Sequence, residues 1–366
     1  MRRATSIALG LGAAAAALLL VSSGAAGRAA RPPLLAFLQG APLYDTVSLL
    51  NARTGGVAAL RRPGAVYDAG AAGGLSWSPA RTRVAFSGVG ALDDAAVSAP
   101  AGIVVARLDG GPPRVLSAMG DHDVFDYAGW SANGQWIAFV AGDFDEETNG
   151  PVHLDLYVAR PDGSGLRRLT ADDVSCPNAP PCLHPLWSPR GGHIAFSGPA
   201  GVDVLDALAQ RPARRRLLGA PDVWLGGWAP DGKRLVIGRD VRSDDAPVRT
   251  SLLVLDVATR RTRLVTTQPG SIDEAVWSPD GRRIAFTRTL DDLSQVYVVA
   301  AGGGAAQRLS NGTADEAHAS WSPDGAQIAY EVFDAAESTA WIVVASADGS
   351  RARRLARGCC PTWAPR

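Results

Sequence analysis

The hydrophobic positions of this chain fall into short runs bounded by Pro, Gly, Asp, Asn or Ser, and no long stretch after residue 30 repeats at helical spacing. The runs Ile284-Ala285-Phe286, Ile328-Ala329-Tyr330, Ile194-Ala195-Phe196 and Ile137-Ala138-Phe139 each follow a Trp by the same interval. The chain reads WSPDGRRIAF from Trp277, WSPDGAQIAY from Trp321, WAPDGKRLVI from Trp228 and WSPRGGHIAF from Trp187. Looser copies are WSANGQWIAF from Trp130 and WSPARTRVAF from Trp77, and WAPR from Trp363 begins a seventh. Successive Trp positions are spaced by 53, 57, 41, 49, 44 and 42 residues. Self-similarity at a period of roughly 40–50 residues signals a repeat architecture. Each unit predicts a Trp-bearing strand, a tight turn and an apolar second strand. Pro presets φ at the first turn position, Asp tolerates the next, and Gly supplies the left-handed position.

Two more strands follow in every unit. Third strands are expected at Gly102 to Arg107, Asp155 to Ala159, Val202 to Asp206, Leu252 to Val257, Gln295 to Val299 and Trp341 to Ala345. Fourth strands are expected at Arg114 to Leu116, Leu166 to Thr170, Arg215 to Leu218, Thr262 to Val265, Gln307 to Leu309 and Arg353 to Leu355. Four short antiparallel strands, repeated radially, make the blade of a β-propeller. Leu34 to Gln39, Thr46 to Asn51 and Val57 to Arg61 read as the second, third and fourth strands of a blade that lacks its first. Cys359 to Trp363 supplies that strand from the other end of the chain. The fold class is therefore all-β: a single domain over residues 33–366 with seven four-stranded antiparallel blades, closed by the C-terminal strand completing the N-terminal blade. A six-bladed ring with a stray tail is the alternative.

Charge and the N-terminus narrow the function classes. Thirty-six basic and thirty-six acidic residues cancel, so no global field steers the chain to nucleic acid or an anionic membrane. The Arg pairs and triplets, Arg214-Arg215-Arg216 among them, fall on expected outer strands, where basic residues discourage edge-to-edge pairing. Residues 1–30 read as an export signal: Arg2-Arg3, an uncharged apolar run from Ser6 to Val21, then small residues. The run falls short of the ~20 residues that span a bilayer comfortably, so cleavage is favoured over an uncleaved N-terminal anchor. An exported protein, periplasmic, extracellular or bound to the cell envelope, is the expectation. Any membrane contact would run through that N-terminal segment alone, and the expected state is a monomer.

The WSPDG-x-x-IAF unit, followed by an aromatic third strand and an Arg-Arg-Leu-Thr fourth strand, resembles the TolB-like β-propeller repeat. The likeness covers about Leu34 to Trp363 and is specific to fold. TolB itself carries an α/β domain ahead of its propeller, which finds no counterpart between the signal and the first strand. Peptidases with the same repeat carry an α/β-hydrolase domain with a Gly-x-Ser-x-Gly elbow. That motif is missing here, and the strands leave no room for such a domain.

If the Trp strands are innermost, one register of residues before each Trp meets at one end of the central channel. Three positions before lie Gly74, Tyr127, His184, Leu225, Glu274, His318 and Cys360; one position earlier adds Asp126, Asp273 and Cys359. His184, Glu274 and His318 offer imidazole and carboxylate donors for a divalent metal. The resemblance admits one, because the family includes a pectate-fragment lyase whose metal is held by propeller residues. The competing reading is a polar, solvated mouth. His122, His153 and His193 fall outside this register and read as surface residues. The acidic stretches Asp143 to Gly150, Ser243 to Pro247 and Asp291-Asp292 read as soluble rim loops, since their spacing does not match a twelve-residue calcium loop.

Four Cys in an exported chain suggest disulfides. Cys176 and Cys182 flank a Pro-rich loop and suit a bridge, which leaves the adjacent Cys359 and Cys360 to each other; free thiols or a metal–thiolate site are the alternatives. The expected function is a non-enzymatic exported propeller that binds a protein, peptide or cell-envelope ligand on one face. The alternatives are a metal-dependent lyase or hydrolase at the channel mouth, and a TolB-like subunit of an envelope complex.

Overall fold

The second strand of every unit is apolar at consecutive positions because both of its faces are buried. In Arg283–Leu290, Ile284 and Phe286 pack toward the preceding blade while Ala285 packs toward the next. The same division holds for Val84 and Phe86 against Ala85, and for Ile137 and Phe139 against Ala138. It recurs at Ile194 and Phe196 against Ala195, and at Ile328 and Tyr330 against Ala329. Large residues on one face and a small one on the other let twisted sheets nest face to face. Seven apolar clusters result, one in each gap between blades.

The computed structural model describes residues 33–39, 46–60, 66–68, 75–91, 101–116, 122, 124–145, 147, 150–171, 183–243, 246–310 and 312–365. The expected signal segment at 1–30, Gly74, and the Cys176 and Cys182 pair lie outside them. The described chain contains no helix and forms seven antiparallel sheets. Five blades take their strands in sequence order, from the Trp strand outward. The third blade, for example, runs Val124–Trp130, Ile137–Asp145, Gly150–Ala159, Arg167–Arg168. In the second blade the Trp strand comes in two pieces, Val66–Asp68 and Ser76–Trp77, both paired to Arg83–Ala91. The first blade is the composite one. Cys359–Trp363 pairs with Leu34–Gln39, with Leu35 opposite Trp363 and Ala36 opposite Thr362. Trp strands of consecutive blades touch all the way round, including Cys359–Trp363 against both Glu316–Trp321 and Ser76–Trp77. The ring has seven blades and closes through that strand.

Polar stitches follow the same repeat. The indole Nε1 of Trp77, Trp187, Trp228 and Trp321 donates to the carbonyl of Thr362, Gly129, Leu186 and Val276, at 3.0, 3.0, 2.9 and 3.3 Å. Each acceptor lies one residue before the Trp of the preceding blade. Where that residue is Ser, its hydroxyl accepts from the next Trp backbone instead, Ser76 from Trp130 and Ser320 from Trp363. The indole Nε1 of Trp130 and Trp363 is then buried without a partner; that of Trp277, whose counterpart residue is Gly227, is unpartnered as well. Arg234 and Arg283 lie over the indoles of Trp277 and Trp321 in the following blade, 5.1 and 4.7 Å from the ring centres.

The outer-strand arginines do more than guard an edge. Arg167 donates to Ala207 O, Arg215 to Val257 O, Arg263 to Ala301 O and Arg353 to Ala52 O, each acceptor belonging to the next blade. Their neighbours face the other way: Arg168 pairs with buried Asp155, and Arg214 and Arg216 with buried Asp203. The alternation of a strand sends successive arginines to different tasks. Parts of the acidic stretches belong to strands or a tight turn. Asp143 and Asp145 lie in the strand Ile137–Asp145, the second and third strands of the fifth blade extend to Ser243 and from Ala246, and Asp291-Asp292 is a two-residue turn with φ of 51° and 60°.

The indole pattern makes a testable distinction. Trp228→Phe removes a donor from the half-buried Leu186 carbonyl and should cost about 1 kcal/mol more than Trp130→Phe, which removes an unpartnered N–H. Urea unfolding of the two variants checks this, and equal losses would refute the assignment.

Candidate functional site

Five of the Trp strands slip register with their second strand just before the Trp. A β-bulge inserts a residue and re-aims the side chains beside it. At these bulges Tyr127, His318 and Cys360 take φ of 55°, 53° and 58°, a region that non-glycine residues seldom occupy. Leu183, next to His184, does the same at 59°. Tyr127, His318 and Cys360 are residues that the Trp-based count selects, and Leu183 adjoins a fourth, so the count marks a register where the backbone itself is distorted.

The structure brings the selected residues together in two groups. Tyr127 and His184, on neighbouring blades, stack with ring centres 4.5 Å apart and planes at 30°. Burial lowers the His184 pKa to about 4, so the ring is neutral, and burial together with the Asp126 charge raises the Tyr127 phenol. Asp126 accepts from the Tyr127 backbone N–H at 2.7 Å and from the Ser87 hydroxyl at 3.2 Å. Burial outweighs those bonds and raises its pKa to about 6.

The second group centres on His318. Its Nε2 lies 3.4 Å from Glu274 and its Nδ1 3.0 Å from Glu331. Glu274 also accepts from the His318 backbone N–H at 3.1 Å, and Glu331 from the Cys360 backbone N–H at 3.1 Å. Burial works to lower the His318 pKa, but contact with Glu331 and the charges of Glu274 and Glu331 outweigh it and bring the value to about 9. His318 is thus an imidazolium between two carboxylates. Burial raises Glu274. Asp273, raised by burial as well, accepts from the Thr289 hydroxyl at 3.3 Å and joins neither group. Leu225 is buried in the apolar gap between blades. The sulfurs of Cys359 and Cys360 are in disulfide contact.

His184 therefore sits with Tyr127 rather than beside Glu274 and His318. Among the described residues, the grouping whose donor atoms lie within 4.8 Å of one another is His318, Glu331 and Cys360. Glu331 was not singled out by the Trp count. It follows the apolar run Ile328-Ala329-Tyr330 directly, as Ser87 follows Val84-Ala85-Phe86. Both reach the bulge of the next blade, so counting one residue past that run finds them. His122 corrects the surface reading: its side chain is 19% exposed, with Nδ1 2.8 Å from Asp143 and Nε2 3.2 Å from the Tyr157 hydroxyl. His153 and His193 are exposed, as expected.

Asp126 gives the site a pH signature. Folded, it keeps its proton up to about pH 6; unfolded, it releases it near ~3.9. The folded state binds the extra proton between these values, so this contribution is full below about pH 4 and lost as pH rises through about 6. Asp126→Asn keeps an acceptor without the charge. It should be more stable than the parent at pH 7.5 by on the order of 1 kcal/mol, allowing for solvent screening. The difference should vanish below pH 4 in urea titrations at the two pH values; a difference independent of pH would refute the assignment.

Solved structures share the architecture. A puromycin-hydrolysing peptidase of Mycobacterium tuberculosis superposes at a TM-score of 0.59 and 15% identity, over 89% of this chain and 53% of the peptidase. An oligogalacturonate lyase in complex with manganese superposes at 0.58 and 15% identity, over 78% of this chain and 79% of the lyase. TolB from Acinetobacter baumannii matches at a TM-score of 0.49 and 16% identity, over 91% of this chain and 83% of TolB. At such identities the first two likenesses speak for the fold alone. The family model described as the TolB beta propeller domain matches residues 137–366, well over half of the sequence, and the chain belongs to that family.

Proposed function

We propose that this protein is an exported, non-enzymatic propeller that binds a protein, peptide or cell-envelope ligand at the mouth lined by the bulged Trp strands. The observation that carries the reading is the pooling of aromatic and ionic side chains at one distorted register. The Tyr127–His184 stack offers a π face, and the half-exposed His318 and Glu274 offer charge. Rigid aromatic surface beside oriented charge is the composition of binding hot spots. Backbone strain held at Tyr127, His318 and Cys360 is a cost that the fold retains at this register. Such a ligand is also what a subunit of an envelope complex would need.

A metal-dependent lyase or hydrolase is the second reading, favoured by the fold shared with a manganese-bound lyase. The donors do not suit manganese. Both ring nitrogens of His318 face carboxylates, the cationic ring has no free lone pair, and the Cys360 sulfur is tied to Cys359.

Two measurements separate the readings. A photo-cross-linking residue at Tyr127 should capture a ligand in cells, and one at Leu264, 55% exposed on an outer strand, should not. Equal capture at both positions, or none at Tyr127, would sink the binding reading. Elemental analysis of protein purified without chelator should find no stoichiometric manganese. One manganese per chain, lost in His184→Ala and His318→Ala, would establish the enzyme reading instead.

A further inference from the structure

We infer that the Cys359–Cys360 pair gates a zinc-class site: in its dithiol form, the Cys360 thiolate joins His318 and Glu331 as three protein donors for a borderline-soft divalent cation. The three donor atoms already lie within 4.8 Å of one another, so one cation can reach all three. They come from three different strands, Glu316–Trp321, Gln327–Asp334 and Cys359–Trp363, which two sheets hold in place. Glu331 reaches both partners, at 3.0 Å to His318 Nδ1 and 3.1 Å to the Cys360 backbone N–H. The positive φ of both His318 and Cys360 aims their side chains at this point.

The sulfur is the donor that differs between the two forms of the pair. A disulfide sulfur is a poor donor, whereas a thiolate beside imidazole and carboxylate makes a donor set suited to zinc rather than to manganese. Opening the pair needs an external dithiol. One of its thiolates attacks a sulfur of the pair, its second thiol completes the exchange, and the dithiol leaves as a disulfide while Cys359 and Cys360 become two thiols. The incoming cation then displaces the Cys360 thiol proton and the Nδ1 proton of His318 to solvent. Glu274, 3.4 Å from Nε2, keeps the other ring proton and orients the imidazole from the far side. The Glu–His–Glu ion triad of the disulfide form thus becomes a ligand set with a supporting carboxylate.

Cys359→Ser leaves Cys360 as a thiol without any reductant, which a thiol count on the unfolded protein verifies. The probes are Co²⁺, whose thiolate complexes show a near-ultraviolet charge-transfer band, and Zn²⁺ itself in competition with a chromophoric chelator. The full chain carrying Cys359→Ser should show the band and bind zinc more than about 100-fold tighter than the Cys359→Ser/Cys360→Ser chain, the upper end of what even an outer-shell partner contributes. The oxidised parent should show no band until it has been reduced with a dithiol and the dithiol removed. Glu331→Gln in the Cys359→Ser chain should weaken zinc binding while leaving the thiol count unchanged. No band in folded Cys359→Ser protein, or equal zinc affinity with and without Cys360, would overturn the proposal. So would zinc binding to the oxidised parent as tight as to the variant. Circular dichroism confirms that each variant is folded, and if Cys359→Ser is not, the dithiol-treated parent provides the same comparison.

Discussion

A blade of this protein cannot bury its own second strand. Ile284 and Phe286 need one neighbour and Ala285 another, and the requirement passes from blade to blade until it returns to the first. An open array would leave two apolar sheet faces in water, at ~25 cal/mol for every Å² exposed. Closure through Cys359–Trp363 removes both. The stitches between blades, from indole to carbonyl and from outer-strand arginine to carbonyl, then follow a repeat that packing has already set.

The same closure creates the site. Seven Trp strands converge on a channel, and the bulge three residues before the Trp turns side chains that strand alternation would otherwise send elsewhere. Along the ring the character of the mouth changes. The third and fourth blades contribute a neutral aromatic stack, and the sixth, seventh and first contribute an imidazolium flanked by carboxylates and adjoining a cysteine pair. A symmetrical scaffold therefore presents an unsymmetrical surface.

Most of the fold was legible in the residues, because a period near 45 with an invariant Trp and a two-faced apolar run leaves few alternatives. The composite blade was legible for the same reason, as Leu34 to Gln39 lacks a Trp strand and Cys359 to Trp363 lacks everything else. The site was legible only in part. Counting from Trp found Tyr127, His184, Glu274 and His318, but not how they group, since grouping depends on blade-to-blade contacts that no local pattern encodes. Glu331 and Ser87 went unread because they sit in second strands, where polar residues pass for strand ends. His122 escaped because its partners Asp143 and Tyr157 lie on neighbouring strands that only the sheet brings beside it.

The composite blade also makes closure a long-range event. Leu35 pairs with Trp363 across the whole span of the ring, so the first sheet is complete only when these two distant segments meet. Until then the first blade keeps an open edge and an uncovered apolar face, and early folding has nothing to lock it. The ring therefore behaves as a clasp: one pair of strands holds both ends of the circle, and loosening that pair uncovers an apolar face on either side of it.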